Sequence, residues 1–459
     1  MPNQKAIDFF ASLGGKRVAV CGVGTNNVPV ILHLLSLGAI VSAHDRRTRD
    51  QLGEVADQLE AAGATLSLGE SYLDDLDADL ILRTPGMKPY LPQFETARAK
   101  GIPVTSEMEL FFGLCPAPIY AVTGSDGKTT TTTIIAGLLA AAGKTVHLGG
   151  NVAYGHPMLP LALDLRPEDC AVVELSSFQL TNMTQSPDVA VVTNVAPNHL
   201  DWHTDMAEYI AAKKNLVSHQ KPGDRAVLNL DNGITAGFAA DCPGNISWFS
   251  RKEAVENGTY YQDGILYAAE DGRAIAILPA SELKLPGDHI IEDFLAAIAA
   301  VWGVVPVKVI ADFARSFGGV PHRCELVLEK DGVRWYNDTI ATSPTRTMAG
   351  LCQFDRKVIL IAGGYDKHIP YDPLGPVAAK TVKTALLMGA TADAIEDALR
   401  PYGVPCGGVN GMEEAVSAAR KLAGKGDIVF MSPASASFDL YKNFEERGEH
   451  FRKLVLENL

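Results

Sequence analysis

The stretch IYAVTGSDGKTT (residues 119–130) decides the fold of the central part of the chain. Five residues suited to a buried strand run into a loop that contains Gly124 and Gly127, and a threonine-rich segment follows. The spacing from about Thr130 to Ala142 is that of a helix. A strand, a glycine loop and a helix in this order predict one unit of an α/β fold with a parallel sheet.

The loop itself has the composition of a phosphate-binding loop. Its glycines leave the backbone amides free to point at phosphate oxygens, and the following helix directs its positive end at the same anion. Lys128 can neutralise phosphate charge, and the Thr129 hydroxyl can complete a magnesium shell. The general phosphate-loop pattern would need glycine at position 122, where this chain has Val122. An ordinary strand–turn–helix with a solvated lysine is the alternative.

The alternation of strands and helices restarts on either side of this block. RVAVCGVG (17–24) and AIVSAHD (39–45) are predicted strands that flank a helical segment, and a third block begins after FGGVPHR (317–323). At roughly 150 residues per domain, 459 residues suggest about three domains. We place their boundaries near residues 106 and 320, which gives domains of residues 1–106, 107–319 and 320–459.

Composition excludes several classes of function. The 40 basic and 54 acidic residues give a net charge of −14, which disfavours non-specific binding to nucleic acid or anionic membranes. The N-terminus has no signal-peptide pattern, and the longest apolar stretch, about 294–305, is too short to span a bilayer. Seven cysteines without a C-x-x-C pair are typical of a reducing compartment. The expected protein is a cytoplasmic monomer that acts on small molecules, with no nucleic-acid or membrane partner.

Two further strands and one helix carry residues capable of chemistry. Glu174 lies in the apolar run CAVVELSSFQL (170–180), where a carboxylate is costly unless it meets a cation or hydrogen-bond donors. It could hold magnesium or orient water, or it could be a structural acid at the sheet end. VAVVTNVAPNHLDWH (189–203) is another predicted strand, which ends at Asn198 and His199, and His199 could bind metal or phosphate, or be structural. Lys213 and Lys214 lie on a predicted helix and, alone, are a solvated pair.

Five segments together resemble the Mur ligase family, the ATP-dependent amide-forming enzymes of peptidoglycan precursor synthesis. They are TGSDGKTT (123–130), GGN (149–151), ELSSFQL (174–180), NHLDWH (198–203) and AAK (211–213). The C-terminal stretch SPASASFDLYKNFEERGEHF (432–451) is similar to the signature of the D-glutamate-adding branch of that family. The resemblance implies a Rossmann-like N-terminal domain for the UDP end of the substrate, a central ATPase domain of the P-loop type and a Rossmann-like C-terminal domain for the amino acid.

The resemblance also implies an activity and a set of site residues. The activity is the ATP- and Mg²⁺-dependent addition of D-glutamate to UDP-N-acetylmuramoyl-L-alanine through an acyl phosphate. The residues implied or expected at ATP are Gly124, Ser125, Asp126, Gly127, Lys128, Thr129, Thr130, Arg323 and Asp338. Those at the UDP substrate are Gly24, Thr25, Asn26, Asp45, Arg46, Thr84, Gly86 and Asn151. Those at D-glutamate are Thr342, Lys367, Ser437 and Phe444.

The same resemblance implies the metal ligands and catalytic residues. Thr129 and Glu174 would bind one magnesium ion, and His199 and Lys213, the latter as its N-carbamate, would serve a second. A carbamate forms only from a neutral amine and then behaves as a carboxylate that a nearby dication stabilises. Lys128, Glu174, His199 and Lys213 are therefore the expected catalytic set.

The sequence departs from the family pattern at three places. Asn27 replaces the third glycine of the dinucleotide fingerprint, which weakens an NAD interpretation. The family segment H-N-x-x-N reads HIIED (289–293), so this helix lacks the amides expected at adenine. The family segment N-D-S-K-[AS]-T reads NDTIAT (337–342), with Ile340 where a phosphate-contacting lysine is expected. That contact is then absent or supplied elsewhere, for example by Arg346 or Lys367.

Three other functions compete with this interpretation. The first is another amino-acid-adding ligase, of the folylpolyglutamate or L-alanine-adding type, against which the C-terminal signature argues. The second is an NAD-dependent oxidoreductase, suggested by the first glycine turn and Asp45, which leaves the 123–130 loop unexplained. The third is an ATP-binding regulator without ligase activity, suggested by Ile340.

Overall fold

The computed structural model describes residues 3–24, 27–152, 155–200, 202–285, 287–367 and 369–458. These residues divide into two compact units, Met1–Phe317 and Gly318–Leu459. Helices alternate with strands through both units, and the sheets are parallel or mixed. The α/β class predicted from the sequence is therefore confirmed.

The first sheet of unit Met1–Phe317 is fully parallel, in the order β3-β2-β1-β4-β5. Its strands are β1 Arg17–Cys21, β2 Ile40–Asp45, β3 Thr65–Leu68, β4 Leu80–Arg83 and β5 Val104–Thr105. The accompanying helices are α1 Gln4–Ser12, α2 Asn27–Ser36, α3 Arg49–Leu52, α4 Glu54–Ala61, α5 Pro92–Ala99 and α6 Glu107–Leu114. The central strands β1 and β4 are almost wholly buried, as the run of apolar residues predicts. Their carboxyl ends carry the first glycine turn and the loop at Thr84.

The second sheet of the same unit has the order β14-β13-β12-β11-β10-β9-β6-β8-β7. Its strands are β6 Ile119–Thr123, β7 Val146–Gly150, β8 Cys170–Glu174, β9 Val189–Val192, β10 Arg225–Asn229, β11 Asn245–Ser250, β12 Gly258–Gln262, β13 Ile265–Glu270 and β14 Arg273–Pro279. In this sheet β6, β7, β8, β9, β10, β11 and β12 pair with their neighbours in parallel. The pairs β12–β13 and β13–β14 are antiparallel. Because β6 lies between β8 and β9, the loops that follow these three strands meet at one edge of the sheet.

Helices of this part of the chain cover the second sheet. They are α7 Lys128–Ala141, α8 Met158–Leu161, α9 Ser177–Leu180, α10 Met206–Ser218, α11 Gly233–Gly237, α12 Asp288–Val301 and α13 Val307–Ser316. Helix α7 buries Ile134, Leu138 and neighbouring side chains in the same core cluster as Phe294 and Ile298 of α12. Helix α7 begins at Lys128, two residues earlier than predicted, since the left-handed Gly127 already turns the chain into the helix.

Unit Gly318–Leu459 is built on a mixed sheet of order β15-β16-β20-β17-β18-β19. Its strands are β15 Glu325–Lys330, β16 Val333–Asn337, β17 Val358–Gly363, β18 Val382–Met388, β19 Cys406–Gly408 and β20 Ile428–Met431. Only the β15–β16 pair is antiparallel among these described strands. The helices are α14 Pro344–Leu351, α15 Leu374–Thr381, α16 Ala392–Leu399, α17 Met412–Leu422 and α18 Phe444–Asn458.

Among the described residues, no helix combines the length and the apolar character that a membrane span requires.

Candidate active site

The loop between β6 and α7 contains two glycines that no other residue could replace without displacement. A Cβ atom at Gly124 would lie 1.8 Å from the Oγ1 atom of Thr193. At Gly127, where φ is 76°, a Cβ atom would lie 2.4 Å from Oδ1 of Asp293. Both glycines therefore allow other side chains to approach the loop backbone, in addition to leaving its amides uncrowded.

The loop is held in shape by the chain segment that follows β9. The Ser125 hydroxyl donates to the carbonyl of Ala196 at 2.9 Å and lies 2.9 Å from the hydroxyl of Tyr209. The amide of Asp126 donates to Oδ1 of Asn194 at 3.0 Å. The Ser125 side chain is thus engaged within the protein, and these contacts fix the shape of the loop. A loop held in one shape lowers the entropic cost of binding an anion.

Glu174 lies at the carboxyl end of β8, beside the first turn of α7. It is 2 % exposed, and its two carboxylate oxygens accept hydrogen bonds from different elements. Oε2 accepts from the Thr129 hydroxyl at 2.6 Å, and Oε1 accepts from the side-chain amide of Asn151 at 2.9 Å. The alignment of β6 with β8, in which Val122 pairs with Glu174, brings this carboxylate to the loop. The structure therefore joins a predicted phosphate-loop residue, a predicted metal ligand and a predicted substrate residue in one network.

Two lysines donate hydrogen bonds to neighbouring carbonyls of the loop backbone. Lys128 donates from Nζ to the carbonyl of Ser125 at 2.9 Å. Lys213 of α10 is 1 % exposed, and its Nζ donates to the carbonyl of Gly124 at 2.6 Å. Burial, and secondly the charge of Lys128, lower the pKa of Lys213 to about 7. Lys213 is therefore not the solvated lysine that its position on a helix alone would suggest.

The environment of His199 differs from that of the other expected catalytic residues. It is exposed, has a φ of 53°, and its ring packs edge-on against Phe178 with centroids 4.9 Å apart. No hydrogen bond joins its ring to Glu174 or Lys213 in the described part of the chain. Within that part, no three His, Cys, Asp or Glu side chains converge into a metal cluster. The structure thus joins Thr129 to Glu174 but leaves His199 and Lys213 outside that contact.

A cavity of about 340 Å³ opens beside the Glu174 network. Four of the predicted substrate residues line it, namely Gly24, Thr84, Gly86 and Asn151. Phe178 also lines it and packs against the ring of His199. Because Asn151 contacts both the cavity and Glu174, the cavity adjoins the phosphate loop.

The glycine turn after β1 shows why its third fingerprint position tolerates asparagine. The side-chain amide of Asn27 donates to the carbonyl of Gly22 at 2.7 Å and so closes the turn. A Cβ atom at Gly22, where φ is 97°, would lie 2.5 Å from the side chain of Thr84. Two predicted residues of this turn, Thr25 and Asn26, lie outside the described residues.

Asp45 and Arg46 differ in how far they are available to a ligand. The Asp45 carboxylate accepts from the Val23 amide at 2.7 Å and forms a two-point ion pair with Arg47. These contacts hold the pKa of Asp45 below its usual range despite partial burial. Arg46 is exposed to solvent. Neither residue lines the cavity described above.

Unit Gly318–Leu459 contains the remaining predicted residues. Asp338 is 3 % exposed and accepts hydrogen bonds from the Cys324 amide at 3.1 Å and the Ser432 hydroxyl at 2.7 Å. Burial raises its pKa to about 6. Arg323 is exposed. The expected D-glutamate residues follow three different elements at one sheet edge, and they are Thr342 after β16, Lys367 after β17, and Ser437 and Phe444 after β20.

Sequence reasoning missed several residues of the site. The cavity is also lined by Asn27, Ser106, Glu107, Met108, Ser176, Phe178 and Gln179. The last three belong to the ELSSFQL segment, so the motif carried a signal that we assigned to Glu174 alone. Tyr209, which contacts the phosphate loop, carried no recognisable signal because it comes from a helix distant in sequence. Asp293 was noted only as a departure from the family's adenine-side segment, and its place beside Gly127 was not predicted.

Comparison with known proteins places these features in a family. The model of the Mur ligase middle domain matches residues 122–301, and the model described as Mur ligase, glutamate ligase domain matches residues 322–435. The chain is 49 % identical over 462 aligned residues to the UDP-N-acetylmuramoylalanine--D-glutamate ligase of Acetivibrio thermocellus, with 99 % of both chains covered. It is 47 % identical to the corresponding ligase of Clostridium kluyveri, with 98 % of both covered.

Solved structures show the same fold at lower sequence similarity. MurF from Acinetobacter baumannii superposes with a TM-score of 0.53 at 15 % identity, covering 99 % of each chain. UDP-N-acetylmuramate-alanine ligase from Thermotoga maritima gives a TM-score of 0.51 at 18 % identity, covering 97 % of this chain and all of that one. With near full-length relatives at 47 to 49 % identity, and with its central and C-terminal parts matching the two domain models, the chain belongs to the Mur ligase family.

Proposed function

We propose that this protein joins D-glutamate to the alanyl carboxylate of UDP-N-acetylmuramoyl-L-alanine in a reaction that converts ATP to ADP and phosphate. The observation that carries the proposal is the network of Thr129, Glu174 and Asn151, which ties the phosphate loop to the neighbouring cavity. Near full-length similarity to D-glutamate ligases supports the choice of amino acid. The reaction passes through an acyl phosphate, since direct condensation of a carboxylate with an amine is uphill in water.

The residues of the loop are suited to hold the ATP phosphates. The amides of residues 127–130 at the amino end of α7 receive the anion, and Lys128 neutralises charge on its oxygens. Thr129 and Glu174 offer a hydroxyl and a carboxylate, the oxygen donors that magnesium accepts together with phosphate. When bound there, Mg²⁺ would offset the negative charge that accumulates where a carboxylate meets a triphosphate. Glu174 and Thr129 already contact each other, so the two donors fit a shared ion.

We further propose, from the family resemblance, that Lys213 acts as its N-carbamate together with His199 at a second magnesium ion. The burial of Lys213 and its position behind the loop are consistent with a fixed oxygen ligand rather than a mobile surface amine. The test is ¹³C NMR of the protein in ¹³C-bicarbonate, compared with Lys213→Arg. A carbamate resonance that persists in the variant, or is absent from the wild type with Mg²⁺ and ATP, would refute the assignment.

The three-domain division and the domain types belong to the same proposal. The first sheet has the strand order 3-2-1-4-5 of a doubly wound parallel sheet, which supports a Rossmann-like domain over 1–106 for the UDP substrate. The second sheet with its phosphate loop supports an ATP-binding domain over 107–319. The mixed sheet of the C-terminal unit supports an amino-acid domain over 320–459, with Thr342, Lys367, Ser437 and Phe444 around D-glutamate and Arg323 and Asp338 toward the nucleotide.

The experiment is a steady-state assay of ADP release from the purified enzyme with UDP-N-acetylmuramoyl-L-alanine and each of D-glutamate, L-glutamate and L-alanine. We expect turnover with D-glutamate, its loss in Lys128→Ala, and transfer of one carboxylate oxygen from ¹⁸O-labelled substrate into inorganic phosphate. Preference for L-alanine would assign the chain to another ligase, and phosphate without label would exclude the acyl phosphate.

A further inference from the structure

Three cations gather at the edge of the C-terminal sheet where the loops after β16, β17 and β20 meet. They are Arg346 in the first turn of α14, Lys367 after β17 and Arg447 on α18. Burial lowers the pKa of Lys367, and the charges of Arg346 and Arg447 lower it further. The charges of Arg346 and Arg447 therefore both act on Lys367. Arg447 also reaches the loop after β17, since its Nη1 lies 3.0 Å from the place that a Cβ atom on Gly364 would take.

Arg447 is the buried member of this group and sets its geometry. It is 1 % exposed, and its guanidinium donates to the carbonyls of Thr339, Ser435 and Ala436 at 2.9–3.1 Å. Nε donates to the Thr339 hydroxyl at 3.0 Å. One side chain thus ties the loop after β16 to the loop after β20, and all of its contacts are to neutral groups.

Arg346 is exposed, as Lys367 is, and one hydrogen bond holds its guanidinium. Its Nη1 donates to the carbonyl of Ile340 at 3.2 Å, which keeps the guanidinium over the loop that contains Thr342. Helix α14 carries no acidic residue in its first turn, and its N-cap Ser343 makes no capping hydrogen bond. A cation at the amino end of a helix opposes the helix dipole, so Arg346 adds positive charge where positive potential already exists.

No carboxylate of the described residues forms an ion pair with Arg346, Lys367 or Arg447. The carboxylate that acts on Arg447 electrostatically is that of Asp439, whose Oδ2 accepts a hydrogen bond from the amide of Ala390 at 3.1 Å. A cluster of like charges without paired anions destabilises the free protein and favours an anionic ligand. The edge is therefore suited to a ligand with more than one negative group.

We propose that Arg346 is a specificity-determining residue of the amino-acid site, whose guanidinium binds one carboxylate of D-glutamate while Lys367 binds the other. The inference rests on the proposed function and names a contact beyond the expected set of Thr342, Lys367, Ser437 and Phe444. A guanidinium held by a backbone carbonyl keeps its remaining donors in a fixed fork, which matches the two oxygens of a carboxylate. A dicarboxylic amino acid would thereby be preferred over one with a neutral side chain.

The test compares the KM for D-glutamate with the KM for ATP in the variant Arg346→Ala. Loss of a charged hydrogen bond should raise the KM for D-glutamate by about 10- to 100-fold, with the KM for ATP changed less than twofold. Arg346→Lys should recover part of the loss, since it restores the charge but not the two-point geometry. The matched control is Arg356→Ala, an exposed arginine of the same unit that pairs with Asp355 and should leave both constants unchanged.

The outcomes separate this inference from the proposed function. If the wild type releases no ADP in response to D-glutamate, the proposed function fails. If the wild type is active and Arg346→Ala keeps the wild-type KM for D-glutamate, the inference alone is wrong. A rise in the KM for ATP without one for D-glutamate would also overturn it, because the cation would then serve a phosphate.

Discussion

Asp293 is a buried carboxylate placed beside the loop that we expect to hold a triphosphate. It lies on α12, is 6 % exposed, and its Oδ1 accepts a hydrogen bond from the Thr131 hydroxyl at 3.0 Å. No cation of the described residues pairs with it. Burial is the main reason that its pKa rises from 3.8 to about 8, and the hydrogen bond from Thr131 only partly opposes the rise. We predict that Asp293→Asn stabilises the protein in a pH-dependent way.

The sign follows from proton binding in the two states. The folded protein keeps the proton on Asp293 up to about pH 8, whereas the unfolded chain releases it near pH 4. Between these values the unfolded state binds fewer protons, so stability falls as the pH rises. The limiting slope is about 1.4 kcal/mol per pH unit, which amounts to about 2–3 kcal/mol between pH 6 and pH 8. Asparagine has the same shape, still accepts from Thr131, and carries no such dependence.

The measurement is urea unfolding of wild type and Asp293→Asn at several pH values from 6 to 9. Tryptophan fluorescence is a suitable probe because Trp302 directly follows α12. The stability difference between the two proteins should grow with pH and level off above about pH 8. Asp263→Asn, an exposed change in the same unit, is the control and should show no such growth. A difference that stays constant with pH, or a variant less stable at pH 8 than the wild type, would refute the reasoning.

Three further predictions concern the site. Gly124→Ala should reduce ADP release at least about 100-fold, since its Cβ would overlap Thr193, whereas Gly237→Ala has open space and should leave the rate unchanged. Glu174→Gln should raise the magnesium concentration needed for half-maximal rate and lower kcat, because a neutral amide is a poor ligand for Mg²⁺; an unchanged magnesium titration would argue against the assigned role. Arg447→Lys should lower the melting temperature of the C-terminal unit in calorimetry, because an ammonium group cannot span three carbonyls.

The sequence was sufficient to predict the parts of the fold that depend on local pattern. Strands β1, β6 and β8 and helix α7 follow from buried apolar runs, glycine loops and helical spacing. The contact of Glu174 with the phosphate loop could be anticipated because carboxyl ends of neighbouring parallel strands share one edge. One carboxylate oxygen of Glu174 contacts Thr129 and the other contacts Asn151. This arrangement depends on side-chain distances that no sequence pattern encodes.

The setting of the two lysines shows the limit of such reasoning. Lys213 and Lys214 are adjacent on one helix, and the helical spacing alone predicts that both side chains are solvated. In the structure Lys213 is 1 % exposed beneath the loop, while Lys214 is half-buried and pairs with Asp241 at 2.8 Å. Consecutive helical residues differ in direction by about 100°, so one of the pair faced the core. Only the helix packing, which depends on residues distant in sequence, determines which one.

The departures from the family pattern have physical counterparts in the structure. Asn27, in the place of a glycine, uses its amide to close the turn on Gly22. Asp293, in the place of an asparagine, retains the acceptor for Thr131 and, as a neutral acid, adds no charge beside the phosphate loop at neutral pH. Ile340 brings no charge, but its carbonyl holds the guanidinium of Arg346 over the same loop. In each case the altered position takes part in a hydrogen bond within the protein, so none of the three leaves its loop without support, and we expect a chain with these altered motif positions to remain an active ligase.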